Sequence, residues 1–318
     1  MAGHGGDPVK VVKAALLANA GIAIAKFVAA YFSGSTTMLA EGVHSVADTA
    51  NQALLWVGII LSARRADARF PLGRASESYF WSFIVALLLF FLGGVFAIYE
   101  GAHKLAHPEP PGNPLAPIGV LVVSIFLEGS SFLVAWREFQ KMRGKRTLRQ
   151  ALFDGKDPVI PVVLLEDTGA IFGLLFALVA VVVSWVTGSG VADGVGSIVI
   201  GILLCVIGLL LAKDTRSLLI GEGVTLETRM ETISIVEGIE GVKSVRQLLS
   251  LHLGPDTVLL ALKVRFADGL SLEEVEKVTD RLEEAVRAKL PMMKRIFVEP
   301  DSDYDAALDA DAPREAAS

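Results

Sequence analysis

The sequence VIPVVLLEDTGAIFGLLFALVAVVVSWV, residues 159–186, is the most informative stretch of this chain. It is longer than the roughly 20 apolar residues that an α-helix needs to cross a bilayer. Because lipid offers no partner for backbone N–H and C=O groups, a spanning segment of this kind has to be helical. Two adjacent acids, Glu166 and Asp167, interrupt it. The stretch therefore predicts a transmembrane helix that carries carboxyl groups into the membrane.

Outward from this helix, five more apolar stretches have the length of a membrane span. They lie at approximately Val11–Ser33, Thr37–Ser62, Ser78–His103, Ala116–Arg137 and Ala192–Ala212. The 318-residue chain is 53% hydrophobic and only 20% charged, whereas soluble globular chains average about 45–50% apolar and about 25% charged. We therefore predict an α-helical membrane protein with six transmembrane helices in residues 10–213.

The distribution of Lys and Arg between these stretches predicts the orientation. Strong cations precede the first stretch, separate the second from the third and the fourth from the fifth, and follow the sixth, whereas the other connections contain only Lys104. Positively charged loops stay in the cytoplasm, so both termini, including the tail of residues 1–9, are expected there. We expect a bacterial inner (plasma) membrane. The net charge of −6 says little about partners, but the sequence contains no basic stripe of the kind that binds nucleic acid, so no nucleic-acid partner is expected.

Residues 214–300 predict a small cytoplasmic α+β domain of order αββαβ. Its elements are a helix at Thr225–Val236, strands at Val242–Leu253 and Thr257–Phe266, a helix after a capping box at Ser271–Glu274, and a strand at Lys294–Glu299. A domain of fewer than about 100 residues has a marginal core, so we expect a second copy of the chain to complete it. Residues 301–318 are acidic and Ala-rich, which predicts a disordered tail.

Polar and ionisable side chains inside the predicted spans are the candidate functional residues. A charge inside lipid is costly, so each one indicates a function by default. They are Glu41, His44, Asp48 and Asn51 in the second span, Glu166 and Asp167 in the fifth, Glu128 in the fourth and Lys26 in the first. The alternative is a polar network that only fastens the helices together. For Lys26, pairing with a carboxylate or snorkelling to the interface is an equal alternative.

The donor types in the second and fifth spans are typical of a site for Zn²⁺ or its first-row neighbours. His44 and Asp48 are four residues apart and share one helix face, and Asp167 would add a ligand from a second helix. Imidazole and carboxylate without thiolate suit these metals, and the single cysteine, Cys205, allows no thiolate cluster. We predict no cofactor. The predicted metal ligands are His44, Asp48, Asp167, Glu166 and Glu41, with Glu128 and Asn51 as accessory residues.

Several blocks of the sequence resemble the cation diffusion facilitator family of zinc-transporter-type metal/proton antiporters. They are Ser33–Ser35, Met38–Asp48, Ala66–Asp67, Pro71–Gly73, Tyr79–Trp81, Ile98–Gly101, Leu165–Thr168 and Leu253–Asp256. The later blocks are similar to the zinc transporter nine-like subgroup, and the resemblance covers about residues 10–300. It implies a homodimer with metallochaperone-like cytoplasmic domains that works by alternating access. It also implies that His44, Asp48 and Asp167 belong to the transport site.

One departure from the family pattern concerns the transport site. Four residues before Asp167, where many members have His or Asp, this chain has Val163, which cannot bind metal. Glu166 is adjacent, but one residue is about 100° around a helix. The fourth ligand is therefore left open between Glu166, Glu41, Glu128 and a water molecule.

Two further departures lie outside the spans. Members with a metal site in the loop between the second and third helices have histidines near positions 70 and 74, but this chain has Phe70 and Arg74, which predicts no metal there. Members with a metal cluster in the cytoplasmic domain use several histidines. Only His252 is present in this tail, which predicts no cluster and a histidine on the strand surface.

Together these features predict a proton-coupled efflux transporter for a divalent metal ion, with Zn²⁺ as the first choice of cargo. The expected partners are the metal ion, protons, the lipid bilayer and a second copy of the chain. Mn²⁺, Fe²⁺ or Co²⁺ is the alternative cargo, since more oxygen ligands favour harder ions. A second alternative is a non-transporting dimeric scaffold or regulator, which the missing ligand at Val163 supports. An enzyme is not predicted, because no nucleophile pairing or cofactor motif accompanies the acids.

Overall fold

The computed structural model describes residues 6–33, 36–107, 114–153 and 155–301. Its N-terminal part is helical. The helices are α1 (Pro8–Ser33), α2 (Thr36–Ser62), α3 (Glu77–Leu88), a π-helical segment (Leu89–Val95), α4 (Phe96–Ala106), α5 (Leu115–Arg143), α6 (Leu148–Phe153), α7 (Val159–Thr187) and α8 (Val191–Ile220). α3, the π-helical segment and α4 form one continuous helix, Glu77–Ala106, called the third span below. Residues 302–318, which include most of the predicted disordered tail, lie outside the described residues.

Within the described ranges, five helices are long and apolar enough to cross a membrane, namely α1, the third span, α5, α7 and α8. The sixth, α2, has 27 residues, enough for about 40 Å at the helical rise of about 1.5 Å per residue. The six-helix architecture predicted from the apolar stretches is confirmed. α8 differs most from its prediction, since it continues to Ile220 rather than ending near Ala212.

Proline and glycine mark the ends of the long helices. Pro114 precedes α5 and Pro158 precedes α7, where a residue without a backbone N–H costs no helical hydrogen bond. Gly144 follows α5 with φ 56° and Gly188 follows α7 with φ 69°, a left-handed conformation that glycine adopts without steric cost. The local sequence therefore determines where these spans begin and end.

One hydrophobic core joins the membrane helices. Buried side chains from all six spans and from α6 belong to it, among them Val12, Leu55, Phe139, Ile160 and Leu211. α1, α2, α5 and α7 pack around one another, and the third span contacts both α2 and α7. These helices surround the polar residues that the sequence placed inside the spans.

Residues from Ile220 onward form a separate compact unit. It contains α9 (Leu226–Glu237), β1 (Val242–Gly254), β2 (Thr257–Phe266), α10 (Leu272–Lys289) and β3 (Met293–Pro300). The strands form one sheet of order β1-β2-β3, in which β1 and β2 are antiparallel and β3 lies parallel to β2. The predicted order αββαβ is confirmed. The predicted capping box is present as well, with Ser271 and Glu274 bonded reciprocally at the start of α10.

Buried and partly exposed residues alternate along β2, and the buried ones form part of the core of this unit. Val258, Leu260, Leu262 and Val264 are all buried, because successive strand residues point to opposite faces of the sheet. One expectation is wrong here: His252 is only 4% exposed rather than lying on the strand surface. The histidine lies near the end of β1, opposite the fully buried Val258, so its side chain is on the same face of the sheet as the buried residues.

Candidate cation site in the membrane unit

A cavity of about 270 Å³ lies among the membrane helices. Its wall includes residues from α1, α2, the third span, α5, α7 and α8. Four predicted site residues line it: Asp48, Glu128, Glu166 and Asp167. The structure therefore brings these carboxyl groups from three different helices to one cavity.

Three of these carboxyl groups are withdrawn from solvent, whereas Asp48 is half-buried. Glu128 is 6%, Glu166 7% and Asp167 2% exposed. Glu166 interacts electrostatically with Asp167, Asp48 and Glu128. Burying several carboxylates together is unfavourable unless a cation or protons compensate them. The arrangement is suited to binding a small multivalent cation or protons.

Adjacent positions on α7 reach different neighbours. Gln52 of α2 donates a hydrogen bond from Nε2 to Glu166 Oε2 at 2.6 Å. Ser131 of α5 donates from Oγ to Asp167 Oδ2 at 2.8 Å. Because consecutive helical residues are about 100° apart, Glu166 turns toward α2 while Asp167 turns toward α5. Both acids nevertheless line the same cavity.

Gln52 and Ser131 were not among the candidate residues predicted from the sequence. Gln52 is fully buried and Ser131 is 2% exposed. The signal available for Ser131 is its spacing of three residues from Glu128, which places both on one face of α5. Gln52 follows Asn51, which is itself buried and within hydrogen-bonding range of Glu166. These three polar side chains orient the carboxyl groups.

Two predicted ligands, Glu41 and His44, belong to α2, but their side chains lie outside the described residues. His44 precedes Asp48 by one helical turn. Among the residues whose side chains are described, no group of three His, Cys, Asp or Glu side chains has the spacing of a metal site. The carboxyl groups share a cavity without forming a closed ligand cage.

Val163 does not contribute to the cavity. Its side chain is fully buried in the hydrophobic core, together with Val159, Ile160 and Val162 of the same helix. The position where many family members have a ligand is therefore a packing position here.

Lys26 lies inside the bundle rather than at the interface. It is 8% exposed, lines the cavity and interacts electrostatically with Glu128. The snorkelling alternative is therefore wrong, and an interaction with a carboxyl group remains. Lys104, also on the cavity wall, has its ammonium group 3.0 Å from both Glu100 and Asp193.

The loop between α2 and the third span is held together by internal charges. The Asp67 carboxylate accepts backbone hydrogen bonds from Arg69 and Phe70, and an Arg74 nitrogen lies 3.5 Å from it. The backbone hydrogen bond from Phe70 is the largest cause that lowers the pKa of Asp67 below its ordinary value. The Arg74 guanidinium lies 3.9 Å from the centre of the Phe70 ring. The Arg74 guanidinium thus stabilises the loop through Asp67 and Phe70. The absence of a metal there stays a prediction.

Comparison with known families gives two matches that together cover most of the chain. The cation efflux transmembrane domain matches residues 12–220. The cytoplasmic domain of cation efflux proteins matches residues 225–303. The boundary between these matches falls where the structure separates its two compact units.

Individual relatives share between a quarter and a third of their residues with this chain over the aligned parts. The mouse mitochondrial proton-coupled zinc antiporter SLC30A9 is 29% identical over 297 residues, which are 92% of this chain and 52% of the relative. Metal tolerance protein C4 of Arabidopsis thaliana is 33% identical over 276 residues, 86% of this chain and 60% of the relative. The cation-efflux pump FieF of Serratia proteamaculans is 25% identical over 289 residues, 89% of this chain and 90% of the relative. The chain thus spans only about half to three fifths of the first two relatives.

Proposed function

The chain belongs to the cation efflux family, and on that premise we propose that it exports Zn²⁺ across its membrane in exchange for protons. The family resemblance predicted from the sequence blocks is confirmed, and the named relatives are efflux pumps and antiporters rather than enzymes. The zinc cargo and the proton coupling are proposals supported by the name of the antiporter relative. Mn²⁺, Fe²⁺ and Co²⁺ are the competing cargoes.

The observation that carries the proposal is the shared cavity of Asp48, Glu128, Glu166 and Asp167 inside an apolar helix bundle. We propose that Asp48 and Asp167 bind the metal together with His44, which is one turn from Asp48 on α2. Glu166 or Glu128 supplies the ligand that Val163 cannot. Ser131 and Gln52 hold the carboxyl groups in position through their hydrogen bonds.

Proton coupling follows from competition for these ligands. Carboxylate and imidazole must be deprotonated to coordinate a metal, so protons entering from the opposite side displace it. An imidazole with a reference pKa of about 6.5 titrates near physiological pH. Transport then requires the site to face each side of the membrane in turn, and we propose a homodimer that alternates between these two states.

Zinc flux into proteoliposomes containing a zinc-sensitive dye tests the function. We expect wild-type vesicles to accumulate zinc only when an opposing proton gradient is imposed, and Asp48→Ala, Asp167→Ala and His44→Ala to reduce flux to background. Asp268→Ala is the matched control, because Asp268 is an exposed acid of the cytoplasmic unit. Folded wild-type protein that moves none of the four metals would instead support the scaffold alternative.

The orientation is part of the proposal. The chain is an integral membrane protein. The distribution of cations between the spans supports cytoplasmic termini, and we retain the bacterial inner membrane as the proposed location. Protease sensitivity of the C-terminal unit in right-side-out and inverted vesicles tests the orientation, since only inverted vesicles should expose that unit to added protease.

A further inference from the structure

α1 contributes a cation to the wall of the cavity that holds the acids. Asn19, Ile22 and Lys26 follow helical spacing and all line this cavity, so one face of α1 points into it. Lys26 is seven residues from the end of α1 at Ser33, which corresponds to about 10 Å along the axis. Lys26 is 8% exposed and interacts electrostatically with Glu128, so its ammonium group is held inside the helix bundle.

We propose that Lys26 is a tethered cation that neutralises the acids of the cavity when no metal is bound and weakens metal binding enough for release. This inference rests on the proposed function and adds a residue that sets the affinity of the same site. Lys26 is a positioning residue in this proposal, because it acts on the metal through the charge of the cavity and does not coordinate it.

The charges facing the cavity support this role. Glu166 interacts electrostatically with Asp48, Glu128 and Asp167, and Glu128 interacts with Asp48 and Asp167. Glu128, Glu166 and Asp167 are buried, and Asp48 is half-buried. A buried set of like charges is unfavourable unless an opposite charge accompanies it. Lys26 interacts electrostatically with Glu128, so the ammonium group offsets part of the negative charge before a metal arrives.

The same ammonium group opposes a divalent ion that enters the cavity. Without it, the four acids would hold the ion so strongly that release would become slow. Lys104 also lines the cavity, but its ammonium group forms ion pairs with two other acids, Glu100 and Asp193, at 3.0 Å each. Lys26 is thus the ammonium group that the described residues bring close to the predicted ligands.

Zinc binding to purified full-length protein, measured by competition with a chromophoric chelator, tests the proposal. We expect Lys26→Met to bind zinc about tenfold more tightly or more, since removing one positive charge near a divalent ion in protein changes the interaction by at least that factor. We expect its maximal zinc flux in proteoliposomes to fall, because release becomes limiting. Lys26→Arg keeps the charge and should resemble the wild type in both measurements.

A second uncharged replacement separates this role from a structural one. Lys26→Gln removes the charge but keeps a polar side chain, and we expect it to bind zinc more tightly than the wild type, as Lys26→Met does. Lys13→Met is the control on the same helix, because Lys13 lies over the Trp56 ring away from the cavity wall. It should leave zinc affinity unchanged.

The outcomes distinguish the two proposals. Unchanged or weaker zinc binding by folded Lys26→Met and Lys26→Gln would overturn the role of Lys26 while leaving export intact. A folded wild type that binds no zinc would overturn the proposed function, and this inference with it. Size-exclusion elution of each variant establishes that it is folded.

Discussion

At the residue scale, the cavity depends on polar side chains that hold its acids. Asp167 is almost fully buried, and one of its carboxylate oxygens accepts a hydrogen bond from Ser131. Partners that orient metal ligands from behind commonly change metal affinity by about 10–100-fold when they are removed. The carboxylate rotamer of Asp167 is therefore set by α5 as well as by its own helix.

We predict that Ser131→Ala weakens zinc binding by about tenfold, because the Asp167 carboxylate loses the donor that orients it. Ser124→Ala is a matched control two turns earlier on α5. Ser124 is fully buried, and its Oγ has no hydrogen-bond partner among the described residues. The chelator competition assay compares the two variants, and equal affinities would contradict an orienting role for Ser131.

Val163 gives a second prediction at this scale. The family pattern suggests that a carboxylate at this position would improve the site, but the structure places it in the hydrophobic core. We predict that Val163→Asp lowers the thermal unfolding temperature and does not tighten zinc binding, because it buries an unpaired charge. Val163→Ala, which removes volume without adding charge, should be less destabilising. Tighter zinc binding by folded Val163→Asp would contradict this placement.

At the element scale, glycine allows two membrane helices to approach closely. A Cβ atom added at Gly201 of α8 would lie 2.7 Å from the Gly94 carbonyl oxygen and 2.8 Å from the Ile98 nitrogen of the third span. The same two helices also approach closely at Gly101 and Gly194, where a Cβ atom added at Gly101 would lie 2.7 Å from the Gly194 carbonyl oxygen. Small residues permit such backbone contacts in membrane bundles, and here they bring α8 against the helix that carries Glu100 and Lys104.

We predict that Gly201→Ala separates these helices and lowers the unfolding temperature, since the clash is with backbone atoms that cannot rotate away. Gly119→Ala is the control, because nothing lies within 4 Å of a Cβ atom at that helical position and alanine favours helix. Thermal unfolding in detergent measures both variants. A Gly201→Ala protein as stable as Gly119→Ala would show that the close approach is not needed.

The start of α10 gives a pH-dependent prediction. Glu274 accepts hydrogen bonds from the backbone N–H and the hydroxyl of Ser271, and the backbone bond is the largest cause that lowers the pKa of Glu274 in the folded protein. The pKa of Glu274 in the folded protein lies below its ordinary value of 4.5. The ionised cap therefore contributes its full stabilisation at pH values above 4.5. Its contribution is lost as the pH falls through the folded value.

Hydrogen exchange of the full chain measures this effect. We expect protection of the first turn of α10, corrected for intrinsic exchange, to fall in the wild type as the pH is lowered below 4.5 and through the lower pKa of Glu274 in the folded protein. Glu274→Gln has no carboxyl group to titrate and should show a flat profile. A matching decrease in this variant would assign the pH effect to other groups.

At the scale of the whole molecule, the C-terminal sheet has one face covered by helices and one open. Leu249 of β1 is opposite Ala261 of β2, which is opposite Phe297 of β3. Leu249 is 41% and Phe297 57% exposed, whereas the residues that alternate with them along β1 and β2, such as Leu248 and Leu262, are buried. The open face therefore exposes apolar side chains, and we expect a second copy of the chain to cover it.

We predict that Phe297→Asp lowers the fraction of dimer, because a charge in an apolar interface is not compensated. Leu272→Asp is the control, since Leu272 is an exposed apolar residue at the start of α10 rather than on the sheet. Mass photometry in detergent measures the dimer fraction. Equal dimer fractions for both variants and the wild type would exclude this face as the interface.

The amino-acid sequence by itself determined the architecture. Long apolar stretches predict spans because lipid leaves backbone groups no partner but the helix itself, and alternation in Thr257–Phe266 predicts a strand buried on one face. The candidate acids, Asp48, Glu128, Glu166 and Asp167, were likewise visible, since any charge within a span is conspicuous. These are local signals, each contained within one element.

Only the tertiary structure decided which side chains meet. Gln52 and Ser131 became partners of Glu166 and Asp167, Lys26 turned inward, and His252 was buried. Each outcome depends on how a helix or strand is rotated against neighbours that are distant in the sequence. Composition and spacing give the faces of an element, but the packing of side chains from several elements fixes which face turns inward.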